Sequence, residues 1–282
     1  MLNLGQTNNL IAFRRTENGI YLVDEDLNEV LLPNKYIPEG FELDDKIEVF
    51  LYKDSEDRII ATTLVPKIKL NGYAALEAKM IGRFGAFFEW GLEKDLLVPY
   101  GQQAQKIEEG KSYVVYLYLD EVSQRLVGTT KISGTLEKDS VELSVGDKVE
   151  MTPYEETDIG FSTIVNEKYQ GMLFKNEIFD TINIGNRMTG YVKKIRDDYK
   201  VDLSLQRFGY RAVDDNVEKL HQILLDHNGY LALNDKSSPE SISKQLGMSK
   251  KVFKKSVGAL YKQKRIEITE DGIRIKENSG GD

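Results

Sequence analysis

Over roughly the first two hundred positions, apolar residues come in short runs of alternating polarity, parted by turn-forming residues. Leu10-Ile11-Ala12-Phe13 and residues 19–23, 29–32, 47–52 and 58–63 each have the length and β-branched or aromatic content of a strand. Five strands in about sixty residues favour a small closed barrel, because a flat five-stranded sheet would leave long edges exposed.

The pattern repeats. Gly19 precedes Pro33 by fourteen residues, Gly85 precedes Pro99 by fourteen, and Gly160 precedes Phe174 by fourteen. Val49-Phe50-Leu51-Tyr52 meets Val115-Tyr116-Leu117-Tyr118 at an offset of 66, whereas Arg58 meets Arg125 at 67. The one inserted residue falls in the last hairpin turn, where a length change costs least. From second copy to third the offset is 75 throughout: Gly85 to Gly160, Gly110 to Gly185, Arg125 to Lys200, Thr129 to Ser204. Three tandem barrels are expected at 1–66, 67–133 and 145–207, with a charged linker at 134–142 before the third.

Beyond the third copy the period lengthens to 3.6. Val213, Val217, Leu220 and Leu224 fall on one stripe, and His227-Asn228-Gly229 ends that helix. Ser238 and Pro239 supply the cap and first turn of a second helix holding Ile242 and Leu246, and Ser249 caps a third over about 250–263. Residues 266–269 and 273–275 then form a hairpin around Glu270-Asp271-Gly272. Three helices and a hairpin predict a winged helix-turn-helix over 213–277.

The stretch Arg83-Phe84-Gly85-Ala86-Phe87-Phe88, followed by Leu96-Leu97-Val98, the turn at Gly110, the strand at 112–119 and the closing strand after Arg125, resembles the S1 domain, an oligonucleotide-binding barrel. Three such units followed by a winged helix resemble the conserved virulence factor B family of bacterial RNA-binding proteins, over nearly the whole chain. The fold class expected is multidomain and mainly β: three tandem S1-like OB-fold barrels followed by an α/β winged helix-turn-helix domain. The resemblance implies RNA, single-stranded or structured, as the partner, and an effect on RNA fate or gene expression. It makes Phe84 and Phe87 the base-facing pair and leaves Ala86 and Phe88 for the core.

A base presents an apolar π-face whatever its identity, so aromatic platforms bind single strands without reading them, at roughly 1–3 kcal/mol per stacked base. Arg83, Phe84, Phe87 and Trp90 are the candidate contacts of the second barrel, although Phe is also among the residues most often buried and Trp90 suits either role. The other copies depart from this pattern. Phe84 and Phe87 become Asn18 and Tyr21 in the first and Ile159 and Ser162 in the third. Phe174, Tyr191, Lys193 and Lys200, with Lys194 and Arg196 beside them, are the third barrel's compensating candidates.

Charge refines the picture. The net charge of -8 argues against a uniformly basic nucleic-acid coat. Residues 1–65 carry 13 acidic and 6 basic side chains, and residues 241–266 carry eight basic and none acidic. The acidic first barrel is thus the candidate for a protein partner. On the third helix Lys251, Lys255, Gly258 and Lys262 lie opposite Phe253, Val257 and Leu260, with Lys250, Lys254, Lys264 and Arg265 nearby. That face is expected to be positive, unopposed and suited to phosphate. Its lysines position a backbone rather than read base edges, which makes DNA the less favoured nucleic acid.

Catalysis finds little support in the residue pattern. Cysteine is absent, the only histidines, His221 and His227, lie six apart, and there is no phosphate-cradling glycine loop and no nucleophile elbow. No catalytic residue, metal or cofactor is expected. No apolar run reaches membrane-spanning length, and the chain reads as cytoplasmic, without a membrane partner. Three functions remain in view: a noncatalytic RNA-binding protein, a protein-interaction scaffold of the translation or RNA-decay machinery, and a DNA-binding regulator using the winged helix.

Overall fold

A computed structural model describes residues 1–178, 181–206 and 210–276. In the first repeat, strands β1 (Thr7–Thr16), β2 (Gly19–Val23), β3 (Glu29–Pro33), β4 (Lys46–Lys53) and β5 (Ile59–Thr62) close into a barrel in the order β1-β2-β3-β5-β4. Alternation along each strand sends Leu10, Ala12, Ile20, Leu22, Leu32 and Leu51 into its core.

The fourteen-residue spacing is a cross-strand register. Gly19 pairs with Pro33, Gly85 with Pro99 and Gly160 with Phe174. A Cβ built on Gly85 would lie 2.2 Å from the Val98 carbonyl oxygen, and one on Gly160 would lie 2.1 Å from that of Leu173. The repeat therefore keeps glycine because the second and third strands of each barrel approach too closely for any side chain.

The second repeat contains β6 (Tyr73–Ile81), β7 (Gly85–Glu89), β8 (Leu96–Pro99), β9 (Ser112–Leu119) and β10 (Leu126–Thr129), ordered β10-β9-β6-β7-β8. Here the expected closed barrel is not closed by a ladder, because no backbone pairing joins β8 to β10 among the described residues. Side chains close it instead: a Cβ on Gly128 of β10 would lie 2.8 Å from a Val98 methyl of β8. The hydrogen bonding moves just past β8, where the Thr130 amide donates to the Gln102 carbonyl at 3.0 Å. The third repeat closes fully through β11 (Lys148–Thr157), β12 (Gly160–Val165), β13 (Tyr169–Phe174), β14 (Met188–Ile195) and β15 (Val201–Ser204). Each first strand carries a bulge, between Ala12 and Arg14, Ala78 and Met80, and Pro153 and Glu155.

The carboxyl-terminal domain runs α1 (Tyr210–Asp226), β16 (Tyr230–Leu231), α2 (Pro239–Leu246), α3 (Lys250–Lys262), β17 (Ile266–Ile268) and β18 (Ile273–Ile275). Ser238 and Ser249 cap α2 and α3, accepting from Ser241 N at 3.1 Å and Val252 N at 3.2 Å, and Gly247 takes the left-handed conformation that ends α2. Val217, Leu220, Leu224, Ile242, Phe253 and Leu260 form the buried core. β16 adds a third strand beside the expected hairpin. The side chain of Val213, and the outer limits of the expected domains at Arg207 and Glu277, lie outside the described residues.

Contacts group the chain into two units, Met1–Leu136 with Ile184–Asn186, and Glu137–Asn183 with the described residues from Arg187 onward. Within the first unit the two barrels share a core. β4 is buried on both faces over Val49, Phe50, Leu51 and Tyr52. Val49 and Leu51 face their own barrel, whereas Phe50 and Tyr52 pack with Ile68, Leu76, Phe88 and Trp90 of the second. Phe50 meets the Trp90 ring edge-on, with centroids 6.0 Å apart and planes at 85°.

Candidate nucleic-acid interface

The turn between β6 and β7 carries Arg83 and Phe84, and β7 carries Phe87. Tyr100 Oη donates to the Gly82 carbonyl at 2.8 Å and fixes this turn. Phe84 is 67% exposed, and the Arg83 guanidinium carbon lies 5.5 Å from its ring centroid. Phe87 is half-buried between Met80 on β6 and Leu97 on β8, its cross-strand neighbours. Both rings line a cavity of about 350 Å³. Ala86 and Phe88 are wholly buried.

Trp90 departs from the expected contact set. It is 3% exposed, its indole Nε1 donates to the Lys94 carbonyl at 2.6 Å, and its ring packs on Phe50. It walls the cavity without offering a face for stacking.

Tyr52 and Lys53 of the first barrel line the same cavity, with Lys94, Asp95 and Arg125 of the second. Arg125 Nε donates to Asp57 Oδ1 at 2.7 Å. That contact holds the Asp57 carboxyl below its usual range, opposed by desolvation and helped by the charges of Lys94 and Lys53. Lys94 Nζ donates to the Asp54 carbonyl at 2.9 Å.

The corresponding face of the first barrel is covered by the chain itself. Tyr21 stands where the second barrel has Phe87, and the Arg14 guanidinium carbon lies 3.7 Å from its ring centroid. Arg14 Nε donates to Glu29 Oε2 at 3.2 Å, and this bond lowers the Glu29 carboxyl and raises Arg14. In the third barrel Ser162 is buried, and Tyr154 from the β11 bulge reaches Ser162 and Gln170 through its hydroxyl. Sequence reasoning overlooked Arg14 and Tyr154, since only the bulge and strand pairing bring them over these positions.

Of the third barrel's candidates, Phe174 is half-buried with the Arg196 guanidinium carbon 5.6 Å from its centroid, and Arg196 Nε donates to Asp202 at 2.6 Å. Lys200 pairs with Asp198 at 2.9 Å. Tyr191 and Lys193 are half-buried on β14.

On α3, Lys251, Lys255 and Lys262 are exposed and Lys250 is half-buried, while Phe253, Val257 and Leu260 are buried. Nothing lies within 4 Å of a Cβ built on Gly258. The face is not wholly unopposed. Lys254 lies 3.5 Å from Asp235, and Arg265, which follows the exposed Lys264, forks onto Glu218 of α1, with one contact at 3.0 Å. That pair lowers the Glu218 carboxyl.

Among the described residues no cluster of three or more potential metal ligands occurs, and no helix is long and apolar enough to cross a membrane.

Residues 4–64 match the S1 domain family and residues 218–275 the CvfB-like winged helix domain family. The chain is 27% identical to the uncharacterized protein YitL of Bacillus subtilis, over 93% of this chain and 90% of that one. It is 25% identical to a conserved virulence factor B of Staphylococcus epidermidis, over 84% of this chain and 82% of the relative. A crystal structure of a multidomain protein with nucleic acid binding domains from Streptococcus pneumoniae aligns over 97% of this chain and 98% of its own, at 19% identity and a TM-score of 0.43. With an S1 domain match over residues 4–64, a CvfB-like winged helix match over residues 218–275 and relatives aligned along most of its length, the chain resembles the conserved virulence factor B proteins.

Proposed function

We propose that the chain is a noncatalytic RNA-binding protein that holds single-stranded RNA on its second barrel and acts in the cytoplasm on RNA fate or gene expression. The observation that carries this reading is the exposure of Phe84 beside Phe87 and Arg83, on a cavity with three cations in its lining. A solvated phenylalanine next to a guanidinium offers a base a stacking face at little ordering cost, and the nearby cations suit the adjoining phosphates. The lysines of α3, chiefly Lys251, Lys255 and Lys262, are assigned to phosphate contacts, with Phe174, Tyr191, Lys193 and Lys200 as the third barrel's contribution. The S1 domain match, over residues 4–64 in the first barrel, supports a nucleic-acid-binding role for the chain.

The test is fluorescence anisotropy with a labelled single-stranded RNA of about twenty nucleotides, long enough to cover more than one barrel. Wild type is compared with Phe84→Ala/Phe87→Ala and with Lys251→Glu/Lys255→Glu. Both variants are expected to bind more weakly, with steep salt dependence in the wild type. Absence of wild-type binding at moderate salt would sink the reading. Preference for duplex DNA, lost only in the lysine variant, would move the assignment to a DNA-binding winged helix.

A further inference from the structure

The cavity beside Phe84 is not built by one barrel. Lys53, Lys94 and Arg125 face a single carboxylate, Asp95, in its lining, so the walls are net positive and partly aromatic. Those cations are not equally free. Arg125 is held by Asp57, and Lys94 donates to the Asp54 carbonyl. Lys53, the last residue of β4, is half-exposed and makes no ion pair among the described residues, although its charge is felt by the Asp57 carboxylate that Arg125 holds. The remaining ionic and backbone contacts across the cavity fix where it sits, because Asp54 and Asp57 belong to the β4–β5 turn of the first barrel while Lys94 and Arg125 belong to the second.

We propose that the first barrel completes the RNA site of the second, with Lys53 as the phosphate contact it contributes and the Asp57–Arg125 pair as the brace that positions it. This rests on the reading that Phe84 and Phe87 receive bases. A strand stacked on those rings places its backbone over a wall whose uncommitted charge is the Lys53 ammonium. Single-stranded nucleic acid is the occupant that matches both features: apolar faces for the rings and a repeating anion for the lysine. The acidic first barrel is then part of the binding site through one basic residue, despite its overall charge.

The experiment measures binding of the full-length protein to the same labelled RNA over a range of salt concentrations, for wild type, Lys53→Ala, Lys53→Glu and Lys46→Ala. Lys46 is exposed at the opposite end of β4 and does not line the cavity, so it controls for a general loss of charge. Thermal melting confirms that each variant folds. Lys53→Ala is expected to weaken binding severalfold and to reduce the slope of log affinity against log salt by about 0.7, the value of one single-strand phosphate contact. Lys53→Glu should weaken it further, and Lys46→Ala should bind as wild type. If both Lys53 variants match wild type in affinity and slope while Phe84→Ala/Phe87→Ala loses binding, the proposal is wrong and the site is confined to the second barrel. If wild type fails to bind RNA, the underlying reading falls first.

Discussion

The Arg14 guanidinium covers one face of the Tyr21 ring, 3.7 Å from its centroid, while Glu29 holds it there. Tyr21 is the first barrel's counterpart of Phe87, so the ring face that would receive a base already has an intramolecular occupant. Tyr21→Ala is therefore expected to leave RNA affinity within about twofold of wild type, since no stacking of the usual 1–3 kcal/mol is there to lose. A loss comparable to that of Phe87→Ala in the same anisotropy assay would show that RNA displaces Arg14.

Two neighbouring phenylalanines should separate binding from stability. Phe84 is 67% exposed and Phe88 is fully buried. Phe84→Ala should change the melting temperature little yet cost about 1–3 kcal/mol of RNA binding, roughly 5- to 140-fold. Phe88→Ala should destabilise the first unit by about 3–5 kcal/mol, as expected for a large core truncation. Denaturant unfolding alongside RNA titration measures both; equal stability losses would contradict the assignment of faces.

Gly85→Ala is expected to be damaging although it adds one methyl group. Its Cβ would fall 2.2 Å from the Val98 carbonyl oxygen and 2.7 Å from the Pro99 Cα, and backbone is costly to move. A loss of about 2 kcal/mol or more in chemical denaturation is the anticipated result. Near-wild-type stability would mean that β7 and β8 can separate without penalty.

The winged helix should lose stability as acid is added near neutrality. Partial burial lowers the pKa of His221, the Arg265 charge lowers it further, and Glu218 opposes them. The unfolded chain, with an ordinary histidine near 6.5, then takes up a proton more readily than the folded one. The stability that His221 permits is complete above that value and declines as pH falls through it. Glu218, whose carboxyl is lowered by Arg265, contributes in a separate and more acidic window. Hydrogen exchange of α1 amides should show protection falling from pH 7.5 to 5.5 in wild type and a flatter profile in His221→Gln. An unchanged slope in that variant would assign the effect elsewhere.

The parts of this architecture that recur were legible in the chain. The glycine spacing of fourteen is a strand register, and the caps at Ser238 and Ser249 mark helix starts that the structure reproduces. The unanticipated contacts join positions with no periodic relation. Asp57 meets Arg125 across 68 residues, Phe50 meets Trp90 between barrels, and Tyr154 reaches its partners only because a bulge shifts it. The four-residue apolar run at β4 did carry a trace of the shared core, since a strand facing one core alternates and a strand facing two does not. For the candidate site, the motif located Phe84 and Phe87, but Lys53 could not be placed beside them without the docking of one barrel on the other.

That docking also bears on how the chain is made. Synthesis delivers the first barrel complete at about residue 63, with Phe50, Tyr52 and Ile60 displayed on a surface whose covering residues extend as far as Leu117. For the interval between, at the 5–20 residues per second of translation, a sheet with an apolar outer face waits in the open. The repeat seen in the sequence is thus not the unit that reaches its final state during synthesis. Until the second barrel closes over it, the nascent first barrel keeps that apolar face uncovered.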